Sequence, residues 1–478
     1  MKKTLLTILI FAGFSNLNFA QTTWEPIQNI DTNPGNQPTF VVSGDLDGDT
    51  DIDIAIGTYD FNQTAQDYIK WYKNDGNGNF ELQTSVSESV VWVQGMIIAD
   101  VDALNNNGND IIATVAFGSK LVYYPNNGSG GFGAEVVISN TINSPGQVVS
   151  GDINNDGNLD LAVASYTDNN TIWFMGDGLG GFVEQTASPI QSGGTGGPWY
   201  LDIGDFDGDS DLDVVVGFFN TGNIEIYYNQ YVESGTSNVS WIMDDVPVAN
   251  GNSWLAVPTH QMAFADVNND DVMDVIKLNN STGDVEWFSK IKNGASTPNT
   301  ISDSSIIARP GTVVVADLDD DGNNDVILTD GGSADDSIIW FKGADGANPS
   351  STASLIDDNN FQFWAITVND FDGDSDLDIA AVGVFSDALD WYENNLNSLS
   401  IADVTLQNVT IYPNPANSII HIKGLTNDVA TISVTDMLGR NVLTKSLYTN
   451  ETLDVSQLVS GIYSISIDGT FASKFIKE

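Results

Sequence analysis

Between residues 44 and 57 the chain reads GDLDGDTDIDIAIG, where acidic and other polar positions alternate for nine residues before an alternating apolar segment takes over. The two-residue period of "IDIAIG" predicts a β-strand, because alternate strand side chains point to opposite faces. A short apolar segment, "TFVVSG", precedes the acidic run, and an aromatic strand, "IKWYKN", follows it. This order returns six more times, with acidic runs beginning at Asp45, Asp100, Asp152, Asp205, Asp266, Asp317 and Asp370. The spacings of 55, 52, 53, 61, 51 and 53 residues mark a repeat architecture.

The other aromatic strands are "LVYYPN", "TIWFMG", "IEIYYN", "VEWFSK", "IIWFKG" and "LDWYEN". In the early units glycine-rich turns such as "NDGNGNF" and "NGSGGF" lead on to a fourth strand. Four short strands per unit, with no helix-period segment between them, predict a propeller blade. The register is common to the units: Pro38, Pro145, Pro198 and Pro310 stand seven residues before the first aspartate of their loops, and Pro258 eight before. The seventh unit ends after "LDWYENN" without a fourth strand, while "TTWEPIQNI" at residues 22–30 reads as a fourth strand with no unit of its own. Pairing the two closes the ring and leaves no open edge. The fold class expected is all-β, a seven-bladed β-propeller over residues 22–400 followed by a small Ig-like β-sandwich over residues 403–478.

Charge narrows the partners. The chain has 478 residues and a formal net charge of −50. Residues 21–400 hold 58 of the acidic and only 8 of the basic side chains. Such a surface is repelled by phosphate backbones and anionic headgroups, so nucleic acid is excluded as a partner and cations are favoured. There is no cysteine, which removes disulfides, thiolate metal sites and cysteine nucleophiles. Residues 1–20 carry Lys2 and Lys3, an apolar stretch from Leu5 to Phe14 and the small residue Ala20 before Gln21. That pattern is a secretory signal, too short for a transmembrane segment.

The acidic runs suit a hard cation. With Asp45 as the first of nine positions, side-chain oxygens of Asp45, Asp47, Asp49 and Asp53 and the carbonyl of Asp51 can wrap one ion. The equivalent sets are Asp152, Asn154, Asp156 and Asp160 with Asn158; Asp205, Asp207, Asp209 and Asp213 with Asp211; Asp266, Asn268, Asp270 and Asp274 with Val272; Asp317, Asp319, Asp321 and Asp325 with Asn323; and Asp370, Asp372, Asp374 and Asp378 with Asp376. Calcium accepts six to eight oxygens in flexible geometry, which favours about six structural Ca²⁺ sites over magnesium. An EF-hand is excluded because its twelfth position would be Ile56 and its flanks are strands. The second run, Asp100 to Asp110, is longer, breaks this spacing and is set apart from the six. At millimolar free calcium, sites of the extracellular kind would each add about 0.4 to 1.4 kcal/mol.

With these loops, the "GNF" and "GGF" turns at residues 78, 131 and 181, and a proline ahead of the first strand, residues 22–400 resemble the FG-GAP/VCBS repeat family. The best-known form of that family is the calcium-binding propeller of integrin α-subunits. The resemblance implies that the metal loops join the first two strands of each blade on one face and that a glycan or protein ligand meets the opposite face. Residues 403–478 resemble the type A sorting domain of the type IX secretion system, on Tyr412-Pro413-Asn414-Pro415, Asp436 with Gly439-Arg440, Gly461-Ile462-Tyr463 and the lysine-bearing end. That resemblance implies engagement of the secretion machinery, export across an outer membrane, and release or attachment at the cell surface.

Nucleophile-elbow, P-loop, dinucleotide and zinc-protease patterns are absent. The candidate ligand-binding residues are Trp199, His260 and Trp364, each six residues before a first aspartate, with Trp92 and Trp254 close by. Tryptophan faces stack on sugar rings and peptide aromatics, but the same side chains could equally plug the channel or pack between blades. Trp71, Trp173, Trp287, Trp340 and Trp391 are expected in the inter-blade core. The expected function is that of a secreted calcium-binding propeller acting in adhesion or binding, not an enzyme. The alternative is a carbohydrate-active enzyme, a polysaccharide lyase or hydrolase, on the same scaffold.

Overall fold

A computed structural model describes residues 22–35, 37–59, 67–90, 92–103, 108–231, 239–246, 262–270, 272–279, 282–289, 298–330, 337–344, 348–350, 352–358, 363–383, 387–396, 410–423, 429–436, 440–448, 452–467 and 470–478. The segment read as a secretory signal lies outside the described residues. Two compact units are present, Thr22–Leu396 and a C-terminal unit starting at Asn397. Among the described residues no helix is long and apolar enough to cross a membrane.

Thr22–Leu396 is built from seven antiparallel sheets, here blades 1 to 7. Their innermost strands are Pro38–Gly44, Val93–Ala99, Pro145–Gly151, Pro198–Gly204, Met262–Ala265, Pro310–Ala316 and Phe363–Asn369. The second strands start at Asp53, Asp110, Asp160, Asp213, Asp274, Asp325 and Asp378. In blade 7 the outermost strand is Gln28–Asp31, paired with Ala388–Tyr392, so the amino-terminal segment completes the last sheet as expected. Thr22–Trp24 adds a small ladder with Asn394–Leu396. Each innermost strand touches those of its two neighbours, and that of blade 7 touches that of blade 1, so the ring is closed.

The second strands of blades 1 to 4, 6 and 7 are buried along their whole length, and that of blade 5 up to Asn279, because each blade is covered on both faces. Trp71 of blade 1 packs in one cluster with Ile111 and Ala113 of blade 2, and Trp391 of blade 7 in another with Ile54 and Tyr72 of blade 1. All five strand tryptophans are buried, as expected for inter-blade core. The glycine-rich turns are shaped by these rings. Gly130 of blade 2 has φ +70°, and a Cβ there would lie 2.5 Å from the indole of Trp71. Only glycine combines that backbone with so close an approach.

The tail unit is a two-layer β-sandwich. One sheet holds Thr410–Tyr412, Ile419–Lys423 and Thr452–Asp454; the other holds Asn441–Tyr448, Val429–Asp436, Gly461–Ile467 and Thr470–Lys477. Their inner faces meet in a single apolar core that includes Ile420, Ile422, Ile432, Val434, Ile465 and Phe475. Asn414 of the Tyr412-Pro413-Asn414-Pro415 motif accepts from the Ile476 N–H at 2.8 Å and donates to the Lys474 carbonyl at 3.1 Å. The motif thereby holds the last strand; Gly439 lies outside the described residues.

Candidate metal-binding loops

Each acidic loop joins the innermost strand of a blade to the second strand, so all seven stand at the same end of the blades. The first aspartate organises the turn. Asp45 accepts from Gly48 N–H at 2.7 Å and Thr50 N–H at 3.1 Å; Asp205 and Asp370 repeat this with Gly208 and Ser210, and with Gly373 and Ser375. In blades 3 and 6 Asp152 and Asp317 serve the fifth and sixth N–H groups instead. The fourth and sixth positions take left-handed backbone: Gly48 (81°) and Thr50 (78°) in blade 1, Asn155 (54°) and Gly157 (88°) in blade 3. This accounts for a glycine found at the fourth position in some loops and at the sixth in others.

The ninth position does a separate job. Asp53 is fully buried; one carboxylate oxygen accepts from Leu46 N–H at 2.9 Å and the other from Asn74 N–H at 2.8 Å, at the end of the third strand. Asp160, Asp213, Asp325 and Asp378 make the same pair of bonds within their own blades. Asp274 accepts from Val267 N–H at 3.0 Å. Burial disfavours charge here, although the backbone bonds oppose it. Asp53, Asp160, Asp274 and Asp325 are pushed up to about 7, and Asp213 and Asp378 to about 8.

Blade 2 joins the set. Two extra residues separate Asp100 from Asp110, yet Asp110 accepts from Val101 N–H at 3.1 Å and Asn126 N–H at 2.7 Å. Asp100, Asp102 and Asp110 bring carboxylate oxygens within 4.8 Å of one another, as do Asp45, Asp47 and Asp53; Asp205, Asp207 and Asp213; and Asp317, Asp319 and Asp325. In blade 7 the set is Asp370, Asp372 and Asp374. Counting forward from the first aspartate hides the equivalence of Asp110 with the ninth positions of the other loops. Counting back from the apolar strand, "DIIATV", reveals it.

A third element was not read from sequence. The asparagine that ends the aromatic strand ties adjacent loops together: Asn126 Nδ2 donates to the Leu46 carbonyl in the blade 1 loop at 2.6 Å and to the Asn109 carbonyl in its own at 2.7 Å. Asn74 bridges blades 1 and 7, Asn229 blades 4 and 3, and Asn394 blades 7 and 6 in the same way. The available signal was the repeated terminal asparagine of "IKWYKN", "LVYYPN", "IEIYYN" and "LDWYEN".

The donor chemistry suits a divalent cation. Asp47 Oδ1 and Asp319 Oδ1, both at the third loop position, are buried oxygens with no hydrogen-bond donor. Unserved carboxylate oxygens at such spacing are costly unless a cation meets them.

The candidate ligand residues fall elsewhere. Trp92 (φ +61°) stacks on Tyr59 with ring centroids 4.7 Å apart and touches Phe117, which is 56% exposed. Trp199 is 9% exposed, edge-on to Tyr166 at 5.3 Å and tilted against Phe219 at 5.6 Å. These are two separate aromatic clusters at the end opposite the acidic loops. At positions equivalent to Trp199, Thr39 and Gln94 are fully buried, and a Cβ on Gly146 would strike the Trp199 backbone at 2.5 Å. At Gly146, therefore, this position faces the neighbouring blade. Trp254, His260 and the Trp364 side chain lie outside the described residues.

Comparison with known proteins gives concordant results. The family model for the secretion system C-terminal sorting domain matches residues 410–478, and that for the FG-GAP-like repeat matches residues 104–163 and 152–216. No curated protein matches the chain. Among solved structures, BBS1N in complex with ARL6DN, soaked with lead, matches with a TM-score of 0.50 and 12% identity over 78% of this chain and 98% of that one, a likeness of fold alone. The tail match indicates type IX export to the cell surface or extracellular space and contact with that machinery. The chain therefore carries FG-GAP-like repeats within a β-propeller and ends in a secretion system C-terminal sorting domain.

Proposed function

We propose that the exported propeller is a calcium-stabilised binding or adhesion module that meets a glycan or protein ligand on the face opposite its acidic loops. The observation that carries the calcium reading is the pair of buried third-position carboxylate oxygens without donors, at Asp47 and Asp319. First, third, fifth and ninth side chains with the seventh carbonyl offer a hard cation five protein oxygens, and water can complete the shell. When bound, calcium would offset repulsion among carboxylates crowded into one turn.

A ligand face is supported by the surface away from these loops. Between blades 3 and 4 a cavity of about 440 Å³ is lined by Gln191, Gly193, Thr195, Thr221, Glu225 and Tyr227, among others. Its glycine-rich wall, residues 193–197, runs into the start of an innermost strand, whereas the acidic loop leaves the far end of that strand. Amide, hydroxyl and carboxylate groups above buried aromatic rings suit a polyhydroxylated ligand.

Two measurements test the proposal. Chelator-treated protein is expected to melt well below protein in millimolar calcium; equal melting temperatures would refute the calcium reading. A glycan array is expected to give saturable binding without turnover, whereas turnover of a polysaccharide would make the chain a carbohydrate-active enzyme.

A further inference from the structure

Among the described residues, two basic side chains of the propeller are aimed into acidic loops. Lys73 Nζ donates to Asp47 and, at 2.7 Å, to Asp49 Oδ2. Lys342 Nζ donates to Asp319 and pairs with Asp321 Oδ2 at 2.8 Å. Both therefore grip the third and fifth loop positions. Both also leave the third strand at the same place, one residue before the N–H that clamps the ninth-position aspartate, Asn74 in blade 1 and Gly343 in blade 6. At that place blades 2, 3, 4 and 5 carry Pro125, Met175, Tyr228 and Ser289. Blade 7 carries Glu393, whose carboxylate repels Asp372 and Asp376.

We propose that Lys73 and Lys342 are tethered counter-ions: each ammonium group holds its loop together when no divalent cation is bound, and calcium must displace it to bind. This rests on the calcium reading above and adds an order of filling, in which blade 7 loads first and blades 1 and 6 last. An ammonium has three N–H donors and approaches from one side, so it cannot serve all the loop oxygens. Asp47 Oδ1 and Asp319 Oδ1 are the oxygens it leaves without a donor. Calcium draws six to eight oxygens to within about 2.3–2.6 Å, and a second positive charge a few ångströms away opposes it strongly. Ammonium and metal therefore exclude one another, while Glu393 brings one more negative charge to its loop.

The test is calorimetric titration of the full chain with calcium, alongside melting in chelator, for wild type, Lys73→Met with Lys342→Met, the charge-keeping Lys73→Arg with Lys342→Arg, and Lys120→Met as a control whose pair with Glu135 lies outside the loops. In the methionine variant the weak class of sites is expected to gain affinity by about tenfold, and the chelated protein to melt lower than wild type. The arginine variant should keep both wild-type properties, and Lys120→Met should change neither. Calcium binding that is the same in wild type and the methionine variant would overturn the counter-ion role and leave the calcium reading standing. Absence of calcium binding in every protein would overturn both.

Discussion

The propeller and the tail sandwich are both antiparallel β-structures with apolar cores, but their turns are held by different chemistry. In the propeller the acceptor at each strand entry is a buried carboxylate, as where Asp53 takes the N–H groups of Leu46 and Asn74. In the tail it is an amide, where Asn414 takes the N–H of Ile476. An amide keeps its charge state at every pH; a buried carboxylate does not. The difference teaches that the propeller's strand entries answer to protons, whereas the tail's turn at Asn414 does not.

The largest expected effect comes from ring closure. Deleting residues 22–31 removes the outer strand of blade 7 and the ladder to Asn394–Leu396. Differential scanning calorimetry of this variant should lose the cooperative propeller transition and keep the tail's; an intact propeller transition would contradict a ring closed by its two ends. Next in size is the response to pH in chelator. Seven carboxylates titrate near 3.8 when unfolded and at about 6 to 8 when folded, with Asp110 the lowest. Between those values the folded state binds more protons, so the stability they contribute is full below about pH 4 and is lost as pH rises towards 8. Urea midpoints of the propeller should therefore fall between about pH 5 and pH 8, and calcium should stabilise most at the upper end; a propeller midpoint that rises would break the contrast with the tail.

Core truncation follows. Trp391→Ala should cost about 3–5 kcal/mol in urea denaturation, with Phe475→Ala comparable in the tail, each moving its own transition. The smallest effect concerns the asparagines. Asn126→Ala strips donors from the carbonyls of Leu46 and Asn109 and should cost about 1–3 kcal/mol. Asn414→Ala, at an exposed site, should cost about 1 kcal/mol. Reversal of that order by denaturant titration would show that the loop ties are not what couples the blades.

Most of this architecture was legible from periodicity. The 51 to 61 residue spacing, the alternating strands and the unpaired segment at residues 22–30 pointed to seven sheets with a shared last blade, which is what the chain forms. Local composition also marked the loop carboxylates. What escaped was whatever depends on a neighbouring blade. The asparagine ending the aromatic strands recurs, but nothing local says that Asn126 reaches the blade 1 loop, 80 residues away. Nor does the division of labour between Asp45, which closes a turn, and Asp53, which anchors a strand. Strand alternation likewise says only that a side chain leaves the sheet; that Thr39 and Gln94 are fully buried at the positions equivalent to Trp199 comes from the packed ring.

Blade 7 joins the two ends of the domain across great sequence separation: Gln28 Nε2 reaches Glu393 Oε2 at 3.1 Å, 365 residues on. Such non-local pairing forms late and slowly, since its loop entropy is lost before its contacts are made. Until that pairing forms the ring is an open arc, with Gln28–Asp31 unpaired and Ala388–Tyr392, held on one side by Asp378–Gly383, open along its other edge. The vulnerable moment in this protein's life is thus its last join, when two raw edges are available to any other strand in reach.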